Sequence, residues 1–307
     1  MTIIVPFRPG GGFDMYSRVL SRNMPRHIPG KPTMILQFMP GAGGLKGANY
    51  FYNVSPRDGS VMALLSQTMP LFQALKGKQA GLRYDASKLN YIGRLTTMEA
   101  AVMAWHTSPA TTLEQLKTTE AVACVAGNAH QGYINAKSMA VLLGLKLKII
   151  TGYNSSRGQS LALEQGECHI QIASWNSWLV RKADWIRDRK VIPLALVSPE
   201  PEPMLKGVPI TPDLAKNAED RAVFEFIAGY AAVGRAFSVP PEVPKERIAA
   251  LRKAFNATVK DPKFLAMAKK HNMVLKPARG EVIAKIVDKT VHAPAEIVAR
   301  TRKILGF

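Results

Sequence analysis

Twice near its start, this chain breaks an apolar run on proline and glycine and then opens an amphipathic run. The first instance reads IIVPFRPGGGFDMYS and the second MILQFMPGAGGLKGANYF. Glycine admits left-handed backbone angles and lets other groups approach the main chain. The first N–H groups of a helix have no intrahelical acceptor and carry the positive end of its dipole. A strand–glycine–helix turn is therefore a ready anion site. In an open α/β sheet such turns lie beyond the carboxyl ends of the strands, where ligands bind. If the two strands are neighbours, both turns serve one site.

The hydrophobic pattern extends this alternation. Residues 3–7, 33–38 and 61–66 read as strands. Residues 14–25 read as a helix, with Tyr16, Leu20 and Met24 at spacing four and Asp14 opposing the helix dipole. Residues 44–53 read as a second helix. The middle of the chain alternates in the same way, with strands at 121–126, 147–151 and 168–173, and polar turns at 127–131 and 152–157 that open helices. Proline then crowds residues 193–212, and residues 223–233 read as strand-like. A proline-rich lead-in precedes an amphipathic helix with Ile248, Leu251 and Phe255 on one face, and a terminal helix runs from Gly280. The expected fold class is α/β with two lobes, each a mostly parallel sheet flanked by helices. Residues 1–103 and 223–307 would form the first lobe and 104–222 the second. A chain that leaves one lobe and returns creates a cleft with a hinge.

The 307 residues suffice for two domains, and no apolar run approaches membrane-spanning length. The formal net charge is +19. Lysine and arginine are scattered without a basic tail or nucleic-acid signature, so steering of small anions fits better than nucleic-acid binding. Cys124 and Cys168 each lie in a short apolar run and read as buried small hydrophobes; a disulfide requires those runs to be neighbouring strands. No leader is visible, so the protein is either cytoplasmic or carries an export signal upstream of the residues shown.

Catalytic constellations are weak. The six histidines form no metal-spaced pair, no G-x-S-x-G elbow surrounds Ser155, and neither glycine turn continues as a Walker loop. Neither a cofactor nor a metal is expected. Gly41, Gly43 and Gly47 approximate a dinucleotide fingerprint, which keeps an NAD(P)-linked α/β enzyme as the alternative, yet the acidic residue Asp58 falls in a Pro-Arg-Asp-Gly turn. His130 reads as a polar loop residue with a place at a helix start. Trp175 and Trp178 read first as packed aromatics, with Trp175 placed to wall a cleft.

These residues resemble a known family. VPFRPGGGFD, then PGAGG, then SPRDG before a strand occur in the order found in the substrate-binding (Bug-type) proteins of tripartite tricarboxylate transporters. YIGRL, GYNSSRGQSLALEQGECHIQ, VPITPDL and FSVPPEVPKERI extend the resemblance along nearly the whole chain. It implies a type II periplasmic-binding-protein fold with the ligand in the inter-lobe cleft. It also implies a non-enzymatic, exported, monomeric protein that hands a small carboxylate to membrane permease subunits. Gly11, Gly12, Phe13 and Asp14 with Gly41, Ala42, Gly43 and Gly44 would cradle one carboxylate, beside Gln67 and Thr68. Asn128, His130, Gln131, Tyr153, Asn154, Ser155, Arg157, Ser174 and Trp175 would supply the second lobe's contacts. Phe13, Tyr153 and Trp175 favour an aromatic or bulky acid, and Arg157 a second carboxylate. The chain departs from the family at Cys168-His169 and at the bulkier turn 127–132, both in the lobe that sets ligand choice.

Overall fold

The computed structural model describes residues 1–77, 81–153 and 155–307. The chain forms two compact units, Met1–Met98 with Ala232–His292, and Glu99–Ala231 with Ala293–Phe307. The crossings thus fall at 98/99 and 231/232 instead of 103/104 and 222/223, and the C-terminal helix belongs to the second unit instead of the first. The reason is local. Helix Ala295–Leu305 packs on helices Gln131–Leu143 and Ala218–Ala228, and Arg300 bridges Glu219 and Asp220 at 2.6 Å each.

The first unit begins β1 (Thr2–Val5), α1 (Gly12–Asn23), β2 (Ile35–Phe38), α2 (Leu45–Asn53), β3 (Val61–Leu64), α3 (Met69–Lys76) and β4 (Asn90–Arg94). The second contains β5 (Ala100–Trp105), α4 (Leu113–Thr118), β6 (Ala121–Cys124), α5 (Gln131–Leu143), β7 (Leu147–Ile150), α6 (Ser156–Glu164), β8 (Ile170–Ser174), α7 (Trp175–Arg181) and β9 (Val191–Val197). The chain then returns to the first unit with β10 (Ala236–Val239) and β11 (Ala278–Arg279).

The first sheet runs β11-β4-β10-β3-β1-β2 and the second β7-β6-β8-β5-β9. Both are mostly parallel, as expected: β10 and β11 run against the other four strands of the first sheet, and β5 against the other four of the second. Strands joined by helical crossovers are parallel, as in β2-β1-β3 and β7-β6-β8. β10 returns after the whole second unit, so no crossover dictates its direction, and it pairs antiparallel with β3 and β4. β5 likewise pairs antiparallel with β8 and β9.

The cores follow from the pattern. Ile3, Ile4 and Val5 of β1 are buried, and α1, which packs on this strand, buries Tyr16 and Leu20, whose spacing of four puts them on one face. At the returning strand, Gly234 takes φ +58°, and a Cβ there would lie 2.1 Å from the Thr96 carbonyl oxygen, so only glycine fits. Residues 223–233 are not a strand. They fall in helices Ala218–Ala228 and Tyr230–Val233. Asn217 caps the first of these by accepting from the Asp220 N–H, Glu219 and Asp220 occupy its first turn, and Val223, Phe224 and Ile227 share its buried face. In the second unit, Cys124 and Cys168 are joined as a disulfide with Cα atoms 5.9 Å apart, inside an apolar cluster with Trp175, Trp178 and Trp185.

Candidate functional site

The carboxyl ends of β2, β1 and β3 lie side by side, so the turns that follow them share one edge of the first unit's sheet. After β1 the chain runs through Pro9 and Gly10, which adopts φ +92°, into α1. Asp14 ties this turn down. Its Oδ2 accepts from the Gly10 N–H at 2.8 Å, and its Oδ1 lies 2.6 Å from Arg18 Nε. Both carboxylate oxygens are engaged inside the protein, so Asp14 shapes the turn. Gly11, at φ −100°, is the N-cap of α1, and no side chain caps the helix. Gly11, Gly12 and Phe13 are buried, and the Phe13 ring centroid is 4.6 Å from that of Phe7.

The second turn is more unusual. Gly41, Ala42, Gly43 and Gly44 have φ of +144°, +47°, +66° and +103°. Ala42 is costly in that region, by about 1–2 kcal/mol. Successive residues of this kind turn their N–H groups into an anion-binding concavity. Gly44 is the N-cap of α2, again without a side-chain cap. A Cβ on Gly44 would sit 3.4–3.6 Å from Pro6, Phe7 and Ser66, so the three turns meet here. Gly47 belongs to this packing: a Cβ on it would lie 3.2 Å from Pro6. The third turn carries Ser66, Gln67 and Thr68, all buried, with Ser66 Oγ 2.8 Å from Thr68 Oγ1. α3 also lacks a side-chain cap, and Pro70 removes one donor from its first turn.

The second unit repeats the layout with different chemistry. β7, β6 and β8 are parallel neighbours, and their turns carry the remaining expected residues apart from Asn154, which lies outside the described residues. At each of these three turns the helix start is capped from within. His130 Nδ1 accepts from the Gly132 N–H at 3.2 Å, Ser155 Oγ from Gly158 at 3.1 Å, and Ser174 Oγ from Ser177 at 3.3 Å. Burial pushes His130 down to about 4, so it is a neutral acceptor at pH 7. Gln131 is buried and Asn128 exposed. Tyr153 Oη donates to Glu167 at 3.0 Å, and that bond raises the phenol's pKa. Arg157 is exposed. Trp175 is packed beside the disulfide, as the core reading expects, with an indole N–H that finds no acceptor among the described residues.

One buried cation is not among the sequence-derived candidates. Arg235, fully buried, stacks on the rings of Phe13 and Tyr16 with its guanidinium carbon 4.8 and 4.5 Å from their centroids. Burial lowers its pKa to about 10, and its proximity to Tyr16 opposes that drop, so it stays charged at pH 7. A charged residue inside the apolar run AAVGRAFSV is the sequence signal for it. The dinucleotide alternative meets an obstacle at Asp58. Its Oδ1 accepts from the Ser60 N–H and Oγ at 2.9 and 2.6 Å, which makes it a turn residue. Among the described residues, no group of three or more His, Cys, Asp or Glu could hold a metal ion.

Solved structures share this fold over nearly the full length of both chains. BugD, a periplasmic binding protein, is 18% identical, with 99% of this chain and 97% of that one covered and a TM-score of 0.76. MatC from Rhodopseudomonas palustris with bound malate is 19% identical over 99% and 98%, with a TM-score of 0.74. An R. palustris protein with adipate is 18% identical over 99% and 97%, with a TM-score of 0.73. No protein-family profile matches the chain, and no curated protein sequence is detectably similar to it. The chain therefore has the fold of periplasmic solute-binding proteins, built from two α/β units.

Proposed function

We propose that this is a Bug-type solute-binding protein that captures a small organic carboxylate and delivers it to the permease of a tripartite tricarboxylate-type transporter. One observation carries the reading: three adjacent helix starts at one sheet edge have no side-chain cap, and two of them are built on left-handed or glycine backbone. Backbone donors from two directions suit a flat two-oxygen group, which a single helix start holds from one side only. The structural neighbours holding malate and adipate lend support, as does the sequence resemblance. The second unit's turns, including Arg157, supply the contacts that choose among acids.

A periplasmic location and a monomeric state belong to the same reading. The Cys124–Cys168 disulfide suits an oxidising compartment. Thermal-shift screening against mono- and dicarboxylates tests the function, because a ligand that binds only the native state raises its stability. A stabilising acid is expected, and native mass spectrometry of freshly purified protein should find such an acid retained. A folded protein that no acid in a broad panel stabilises would overturn the proposal.

A further inference from the structure

The helix Lys245–Thr258 buries Ile248, Leu251 and Phe255, which hold it to the first unit. Beside them runs a second stripe, Lys245, Ala249, Arg252, Lys253 and Asn256, spaced as one side of a helix. This stripe lines a groove of about 680 Å³, which Asn90 of β4 and Glu281 of the helix Gly280–Val291 also line. Asn90 opens β4, which pairs antiparallel with β10, as β3 does. β4 therefore runs in the direction of β3 and β1, and its amino end lies at the end of the sheet opposite the glycine turns. The groove is no part of the candidate carboxylate site. Arg252 is neutralised within the protein: its Nη1 is 2.8 Å from Glu281 Oε1, and its Nε donates to the Tyr91 carbonyl at 2.9 Å. Lys245 and Lys253 are exposed and form no ion pair among the described residues. They stand two helical turns apart, about 12 Å along the axis, with the small Ala249 between them. Residues 245–292 carry twelve lysines and arginines against four acids, so the field around the groove is positive.

We propose that this groove docks an extended acidic segment of a partner protein, about five residues long, with carboxylates four positions apart. Shape decides for an extended chain. From Lys245 to Asn256 the groove runs about 16 Å, which gives it a mean cross-section of about 40 Å². A helix with its side chains is about 10 Å across and needs about 80 Å². An extended chain rises about 3.3 Å per residue, and residues four apart point to the same side about 13 Å from one another, close to the separation of the two lysines. A single small anion meets one lysine only, and a flat lipid surface does not enter a groove. The inference stands apart from the carboxylate reading and uses none of its residues.

The test is an NMR titration with serine–glycine peptides that carry two glutamates two, three, four or five positions apart, read at the amides of residues 245–256. The four-apart peptide should bind about threefold more tightly than the others, the size of one exposed ion pair. Replacing both lysines, Lys245→Gln with Lys253→Gln, should weaken it about fivefold, and raising NaCl from about 0.05 to about 0.5 M should weaken it likewise. Ala249→Tyr, which fills the groove and leaves its charge, should weaken it at least as much. Equal affinity for all four spacings, unchanged affinity in both variants, or no shift in residues 245–256 with any peptide would overturn the inference. So would citrate or inorganic phosphate binding there as tightly as the best peptide, which would mark a small-anion site. Binding to phosphatidylserine vesicles that the double lysine variant loses and the peptides do not compete for would also overturn it, by marking a lipid-facing surface. Both variants should keep wild-type affinity for the acid at the glycine turns within about twofold, so failure here leaves the carboxylate reading standing.

Discussion

The two units solve the same local problem in opposite ways. Each places three helix starts beyond three adjacent parallel strands. In the first unit those starts are glycine or threonine positions without side-chain caps; in the second, His130, Ser155 and Ser174 each satisfy a first-turn N–H. An N-cap stabilises its helix by about 1 kcal/mol, so leaving it out has a cost. That cost is sensible where something from outside fills the place. On the proposed reading, the contrast would give recognition of the acid group to the first unit's backbone.

The units should also come apart experimentally. Both cysteines lie in the second unit, 44 residues apart in sequence. Replacing both with serine should destabilise that unit by about 4 kcal/mol on a loop-entropy estimate. Urea unfolding followed by hydrogen exchange should show protection lost in β6 and β8 before β1 and β3. Simultaneous loss in both sheets would show that the units unfold as one.

A smaller effect concerns pH. His130 sits at about 4 in the folded protein and near its ordinary 6.5 when unfolded. Between those values the unfolded chain binds the proton and the folded one does not, so stability falls as pH drops from about 6.5 towards 4. The loss should approach about 2 kcal/mol, allowing for the residue being only partly buried. His130→Asn keeps a cap without a titrating group and should flatten this limb of the stability–pH curve. An unchanged curve would move the pH dependence elsewhere.

The caps can then be exchanged. Gly11→Ser, at an extended backbone angle any residue adopts, gives α1 the cap it lacks. Stability should rise by a few tenths of a kcal/mol while carboxylate affinity falls about tenfold. Ser155→Ala should do the reverse, costing about 1 kcal/mol of stability with less effect on affinity. Affinity changes of equal size in the two variants would erase the distinction between the units.

Much of this is legible in the sequence where backbone chemistry dictates structure. The two glycine turns announce β1, α1, β2 and α2, because proline and glycine at those positions leave the chain few alternatives. The first unit's parallel triplet follows from the alternation of strands and helices. What stays hidden depends on distant contacts. Residues 223–233 read as strand-like because their apolar positions cluster, and the Asn217 cap of the helix that holds most of them lies upstream of the cluster. The disulfide requires β6 and β8 to be neighbours, which only the fold decides. Arg235 stands in plain view in an apolar run, but its meaning depends on rings more than two hundred residues earlier in the chain. The capping roles of Ser155 and Ser174 are local, yet a serine at a helix start reads equally well as a cap or a ligand contact until its acceptor distance is known.

The most direct test of backbone recognition by the first unit is amide chemical-shift perturbation in deuterated, nitrogen-15-labelled protein titrated with the acid that stabilises it most. The largest amide changes should fall on Gly11, Gly12 and Phe13 and on Ala42, Gly43 and Gly44, with smaller changes at Gly132, Gly158 and Ser177, whose N–H groups are already bonded. Changes concentrated on the second unit's helix starts, with the glycine turns unmoved, would contradict it.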